Sequence, residues 1–385
     1  MFTDFLSPIN HTPESYAPNT FGSLIKSYRS GKNFPDLKKI NLAIIGVEEQ
    51  RRAVNNEGCA AAPDAVRKYL YRLFRGDYQI KIADLGNIKQ GNTIDDTYFA
   101  VRSVVHELLK KNIIPIVVGG SQDLTYASYL AYESIEETIN LVSVDSSFDI
   151  GTIENEFNSQ TWVGRIILHQ PNHLFNYSNL GYQTYFVDPD QVGLMSKLFF
   201  DAHRLGQVRS AIEQTEPVVR NADLVSFDIS CIRHSDAPGC GNTSPNGFYG
   251  EEACQIARYA GMSDKLSAVG FYEFNPAFDK KGHTAHLVAQ MIWCFVDGYC
   301  NRKKDFPFKK TTDVVKYRVS IKDLKDEIIF YKSKKSDRWW MEVPYPSKKN
   351  KFIRHLLVPC TYNTYETALK EEMPDQWWQT YQKLS

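Results

Sequence analysis

A three-layer α/β/α sandwich on a mainly parallel, doubly wound sheet, with a small C-terminal appendage, is the fold this sequence predicts. Three observations carry the prediction. Short apolar runs of strand length alternate with stretches of helical periodicity, the pattern of repeated βαβ units. Two of those runs, Ile139–Val144 and Leu224–Asp228, lead into carboxylates and then loops, which is where an open parallel sheet places its chemistry. A chain of 385 residues that is 43% hydrophobic is also long and apolar enough to bury one large α/β core.

Residues 1–40 read as an irregular lead-in, polar and broken by Pro8, Pro13 and Pro18, which speaks against a signal peptide. Residues 41–47 are an apolar strand. Pro63 then opens a helix in which Val66, Leu70, Leu73 and Phe74 recur at helical spacing. A strand over 79–85 and a helix over 96–111 follow. The strand over 113–118 runs into Gly119-Gly120, where missing side chains let backbone pass close to a site. A helix over 124–132 leads to Ile139–Val144. Further strands are expected at 184–187, Leu224–Asp228 and Ala268–Tyr272, with helices between them.

Composition changes after Cys300. Residues 301–354 carry about ten more basic than acidic side chains, a block that reads as a solvated face or a docking surface for a protein partner. Strands are expected at 315–320, 327–332 and 339–343, and a helix at 366–384. Trp339-Trp340 and Trp377-Trp378 are too apolar for a disordered tail. The organisation is therefore a lead-in over 1–40, an α/β domain over 41–302 and a basic, aromatic-rich appendage over 303–385. Zero formal net charge gives no reason to expect nucleic acid. Seven scattered cysteines with no C-x-x-C pair argue against a disulfide framework or zinc knuckle, and for a reducing, cytoplasmic setting. No apolar run approaches the ~20 residues of a membrane span.

The candidate chemistry sits where the two carboxylate-ended strands stop. In an extended segment alternate residues share a face, so Asp145, Ser147 and Asp149 point one way, as do Asp228 and Ser230. Three carboxylates and two hydroxyls aimed at one spot outline a site for a hard metal ion.

The same residues resemble the ureohydrolases (arginase, agmatinase, formiminoglutamase). That family shows G-G-x-H-[S/D/E], D-A-H-x-D and S-F-D-x-D-x-x-D-P-x-x-A-P-G in order. Here they read Gly119-Gly120-Ser121-Gln122-Asp123, Asp145-Ser146-Ser147-Phe148-Asp149 and Ser226 through Asp228 and Ser230 to Gly239. The family's E-x-N-P is Glu273-Phe274-Asn275-Pro276, and its early G-x-x-x-x-P-x-x-[I/V]-R is Gly58 to Pro63 with Val66-Arg67. The resemblance covers residues 41–300 and implies an arginase-like fold. Asp123 and Ser159-Gln160-Thr161, which stands where formiminoglutamases carry S-G-T, lean it toward that branch. It implies Ser159 and Glu273 as contacts to a small amidino or guanidino ligand, and a homo-oligomer.

It also implies a dimanganese centre with ligands at Gln122, Asp145, Ser147, Asp149, Asp228 and Ser230. Asp145, Asp149 and Asp228 keep the family's residue. Gln122 and Ser147 replace both imidazoles, and Ser230 replaces a carboxylate. Imidazole is what suits transition ions over magnesium or calcium. The expectation is therefore a decayed metal centre without a cofactor, in a non-catalytic binding or scaffolding protein. Arg233, where the family has an acid, would then be the counter-ion of the three aspartates. The alternative is a hydrolase of a C–N amidine bond with a remodelled one-metal site for manganese or magnesium. His283-x-x-His286 reads as capping or surface, and Cys231 and Cys240 have no assignable base.

Overall fold

The computed structural model describes residues 2–9, 15–151, 156–306, 308, 311–321, 327–344 and 350–384. Ten strands form one sheet: β1 (Leu6–Ser7), β2 (Lys26–Ser27), β3 (Leu42–Glu48), β4 (Ile82–Lys89), β5 (Ile114–Val118), β6 (Ile139–Val144), β7 (Leu174–Tyr182), β8 (Asp201–Arg204), β9 (Leu224–Asp228) and β10 (Ala268–Tyr272). Their order is β1-β4-β3-β5-β10-β9-β6-β7-β8, with β2 also on β4. Every pairing is parallel except β1 with β4.

The central strands are apolar throughout because both faces are covered. On β3, Leu42 and Ile44 pack with the helices Ala62–Leu70, Gly250–Met262 and His283–Cys300, while Ala43, Ile45 and Val47 pack with Ile94–Lys110 and Leu124–Glu133. Registers are flush at the carboxyl ends. Tyr272 lies opposite Asp228, Phe227 opposite Val144, and Phe271 opposite Val118. Residues just past these ends, Gly119, Asp145 and Glu273, are thereby brought side by side with Asp228.

Several expectations are corrected. Residues 184–187 hold a 3-10 turn, Thr184–Phe186, and the strand lies upstream in β7. Buried Asn176, Ser178 and Asn179 break that strand's apolar pattern. Edge strand β8 is polar and escaped notice for the same reason. Phe74, counted with the helix that Pro63 opens, lies beyond the end of that helix at Leu70 and is 67% exposed. The first 40 residues are not irregular throughout, since β1 and β2 extend the sheet edge.

The C-terminal residues fold as an antiparallel sheet, β11 (Val314–Val319), β12 (Ile328–Ser333), β13 (Trp339–Glu342) and β14 (Leu357–Cys360), with helices Tyr362–Leu369 and Asp375–Leu384. Phe330, Trp339, Met341 and Trp377 fill its core. It sits at the amino ends of β6 and β9. Arg354 pairs with Glu137 and Asp223, Arg338 pairs with Glu216 at 3.0 Å, and the Arg220 guanidinium lies 4.3 Å from the Trp340 ring centroid. Among the described residues no helix is long and apolar enough to cross a membrane.

Candidate metal centre

Asp145, Asp149 and Asp228 converge, but not along extended strands. β6 stops at Val144, and the Asp145 carboxylate accepts the backbone N–H of Ser147 at 3.0 Å, a turn that aspartate favours. The turn ends with Asp149 at φ 51°, a left-handed conformation unusual for a residue with a Cβ. Asp228 makes the equivalent turn, accepting from the Ser230 N–H at 2.6 Å. Each carboxylate thus offers a ligand oxygen, and the three oxygens lie within 4.8 Å of one another.

Burial pushes all three pKa values up, well above the usual range for Asp149 and Asp228, with the Asp145 charge as the next cause for those two. Their partners are neutral donors. The Ser147 hydroxyl donates to Asp149 at 2.7 Å, and the Trp162 indole N–H donates to its other oxygen at 3.1 Å. Gln122 is fully buried beside them. Its Nε2 donates to the Ser143 and Ser226 hydroxyls at 3.3 and 3.2 Å, and its Oε1 has no hydrogen-bond partner among the described residues.

Glu273 follows β10 at φ 65°. One carboxylate oxygen accepts the Gln122 backbone N–H at 2.8 Å and the other accepts the Asn56 side-chain amide at 2.7 Å. Burial raises its pKa to about 7. Asn275 in turn donates to the carbonyl oxygens of Asn56 and Glu57 at 3.2 and 2.8 Å. A Cβ on Gly58 would come within 2.6 Å of the Asn275 amide oxygen, at φ 115°, so only glycine fits there. The carboxylates open on a cleft of about 520 Å³, whose lining includes Asp149, Asp228, Glu273, Ser147, Ser159 and Ser230.

The sequence profile of the arginase family matches residues 40–297. The chain belongs to the arginase family. Formimidoylglutamase of Bacillus subtilis is 22% identical over 272 residues, covering 65% of this chain and 84% of that protein. The crystal structure of formimidoylglutamase from B. subtilis superposes with a TM-score of 0.67 at 19% identity, over 78% of this chain and 98% of that one. Formiminoglutamase of Trypanosoma cruzi, solved with manganese, gives 0.64 at 20% identity, over 74% and 99%. At these identities the structural likeness establishes the fold.

Within this arginase-family frame the counter-ion expectation for Arg233 is corrected. Its Nε donates to Asp236 at 2.9 Å and its guanidinium lies 3.9 Å from the Tyr249 ring centroid. The backbone reverses here, with the Asp236 N–H bonded to the Arg233 carbonyl at 2.9 Å, so the side chain pairs locally. Among the described residues no ion pair reaches the three aspartates. No histidine joins them either. His286 stacks on Tyr69, His234 bonds Thr243, and His169 bonds Tyr126. Burial pushes the Cys231 and Cys240 thiols well above their ordinary pKa, which makes both inert. Ser159 does reach the cleft, its hydroxyl accepting the Val54 N–H at 3.2 Å. Asn56 and Phe186 escaped the sequence reading. The only signal for Asn56 was its place beside the early Gly58 element, and Phe186 had none.

Proposed function

We propose that this chain is a metal-dependent hydrolase of a C–N bond in a linear amidine or guanidine, working with one hard divalent ion rather than a manganese pair. One observation carries this reading. Three buried carboxylates gather within 4.8 Å, and no cationic side chain among the described residues neutralises them. Buried charges of one sign are otherwise costly by several kcal/mol.

The donor chemistry fits one ion and not two. Oxygen donors suit magnesium, calcium or manganese, while a second site would need the missing imidazoles and fourth carboxylate. Asp145, Asp149 and Asp228 would hold the ion, with Ser147, Ser230 or the free Gln122 Oε1 available as neutral oxygens. Such an ion, when bound, lowers the pKa of water and polarises the carbon under attack. The chain's own residues do the positioning. Trp162 and Ser147 fix the Asp149 carboxylate, and the Ser230 N–H fixes Asp228. Glu273 lines the same cleft, and its remaining lone pairs can accept from a planar amidinium. Membership of a family of hydrolases, with formimidoylglutamases among its relatives, supports the activity.

A second reading, a non-catalytic binding protein on the same fold, draws on Glu273. Both of its oxygens are already tied to Asn56 and Gln122, so its role is at least partly structural. Metal analysis of protein purified without chelator and dialysed against manganese or magnesium separates the two readings. We expect about one ion per chain, lost in Asp228→Asn, together with ammonia or urea release from an amidine or guanidine. Protein that takes up no ion and releases neither product would establish the second reading.

A further inference from the structure

We infer that the cleft selects a guanidino or amidino compound whose far end carries an ammonium group rather than a carboxylate. The inference rests on reading the cleft as the ligand site, and concerns which ligand it admits.

The charged side chains lining the cleft are Asp149, Asp228 and Glu273, all acidic, and no Lys or Arg among the described residues lines it. Residues 152–155, next to the lining residue Gly151, read Thr-Ile-Glu-Asn and bring no basic group in sequence. Two arginines of neighbouring segments are already paired with carboxylates. Arg52 pairs with Glu156 and lies 5.9 Å from the Phe157 ring centroid, while Arg233 pairs with Asp236. A ligand carboxylate would therefore give up hydration without finding a counter-ion, in the field of like charges. One divalent ion would leave the three aspartates with a net negative charge, so the preference survives metal binding.

The mouth of the cleft adds an independent reason. Phe186 lines it while remaining 49% exposed, and the Tyr185 ring stands edge-on to it at 4.8 Å. The turn that presents them is fixed by the Phe186 N–H bond to the Gln183 carbonyl at 2.8 Å. Exposed Asp188 and Asp190 follow directly. Aromatic faces attract ammonium groups. Formimidoyl-glutamate, which names the relatives, carries two carboxylates, one of them at the end away from its amidine, and no ammonium group, so this chain would differ from them in specificity.

A matched pair of ligands tests this. Agmatine and guanidinobutyrate share a guanidinium and a methylene chain and differ in the terminal group. Calorimetric titration of the full chain in magnesium buffer should show agmatine binding at least roughly tenfold tighter, with the gap narrowing as salt rises. Phe186→Ala should weaken agmatine by roughly threefold to tenfold and leave guanidinobutyrate unchanged. Gln160→Arg, an exposed change on the cleft wall, should shift the preference toward guanidinobutyrate and formimidoyl-glutamate. Equal or tighter binding of either carboxylate ligand by the unmodified chain, or no binding of agmatine, overturns the inference. Preference for agmatine without turnover supports it and removes only the hydrolase reading. Turnover of formimidoyl-glutamate in preference to agmatine removes the inference and keeps that reading.

Discussion

Protonation links the carboxylates to stability. Asp145, Asp149 and Asp228 have raised pKa values and Glu273 titrates at about 7, in each case chiefly through burial. A carboxyl group raised by folding holds its proton in the folded chain where the unfolded chain has already lost it. Stability is then greatest below the ordinary carboxyl range and falls as pH rises toward 7. Chelator-treated protein should show a urea midpoint that drops between about pH 5 and about pH 7, and a divalent ion should reverse the trend. A midpoint that rises with pH in chelator would show that these groups are not the dominant titrating set. Arg233 is the contrasting residue. Its pairing with Asp236 is partly solvent-exposed, so Arg233→Ala should cost no more than about 1 kcal/mol by urea titration. A loss of several kcal/mol would reinstate it as the cluster's counter-ion.

At the scale of elements, the flush ends of β5, β10, β9 and β6 set the site, and the Asn56–Glu273–Asn275 clamp ties them to the loop after β3. Asn56→Ala would leave a Glu273 oxygen buried without its donor. It should cost about 1–3 kcal/mol and raise the Glu273 pKa further, both measurable by urea titration against pH. An unchanged stability would mean that water replaces the amide. The same flush register makes restoration a fair test. Gln122→His, Ser147→His and Ser230→Asp together should raise bound manganese from about one toward two ions per chain. If the triple variant folds but gains no manganese, the strand ends do not hold the two-ion geometry.

Across the whole molecule, the C-terminal sheet closes the end opposite the cleft. Arg220 is buried there, bonded to the Trp339 and Cys360 carbonyls at 3.1 and 3.3 Å, paired with Glu216 at 3.0 Å and stacked on Trp340. Arg220→Ala leaves Glu216 paired with Arg338 but strips two carbonyls of their donor, and should cost about 1–3 kcal/mol in urea unfolding. Metal stoichiometry should stay the same, because the two ends of the sheet share no side chain. Loss of metal in that variant would show that the appendage supports the site across the sheet.

By itself the sequence determined the alternation of strands and helices, the strand that leads into Asp145 and the one that ends at Asp228, and the identity of three carboxylates. Each of these follows from local pattern or short spacing. Apolar periodicity failed where buried polar residues stand in its place, as in β7, where Asn176 and Ser178 satisfy each other and Asp201 by hydrogen bonds. Tertiary structure alone decided which groups meet. Asn56 reaches Glu273 across 217 residues, and Phe186 comes to the mouth of a cleft formed mostly by other segments. Arg233, only five residues beyond Asp228, turns away because a nearer carboxylate and an aromatic ring offer it a geometry the backbone already favours. Charge balance in a site is set by distance and direction in space, and adjacency in the chain fixes neither.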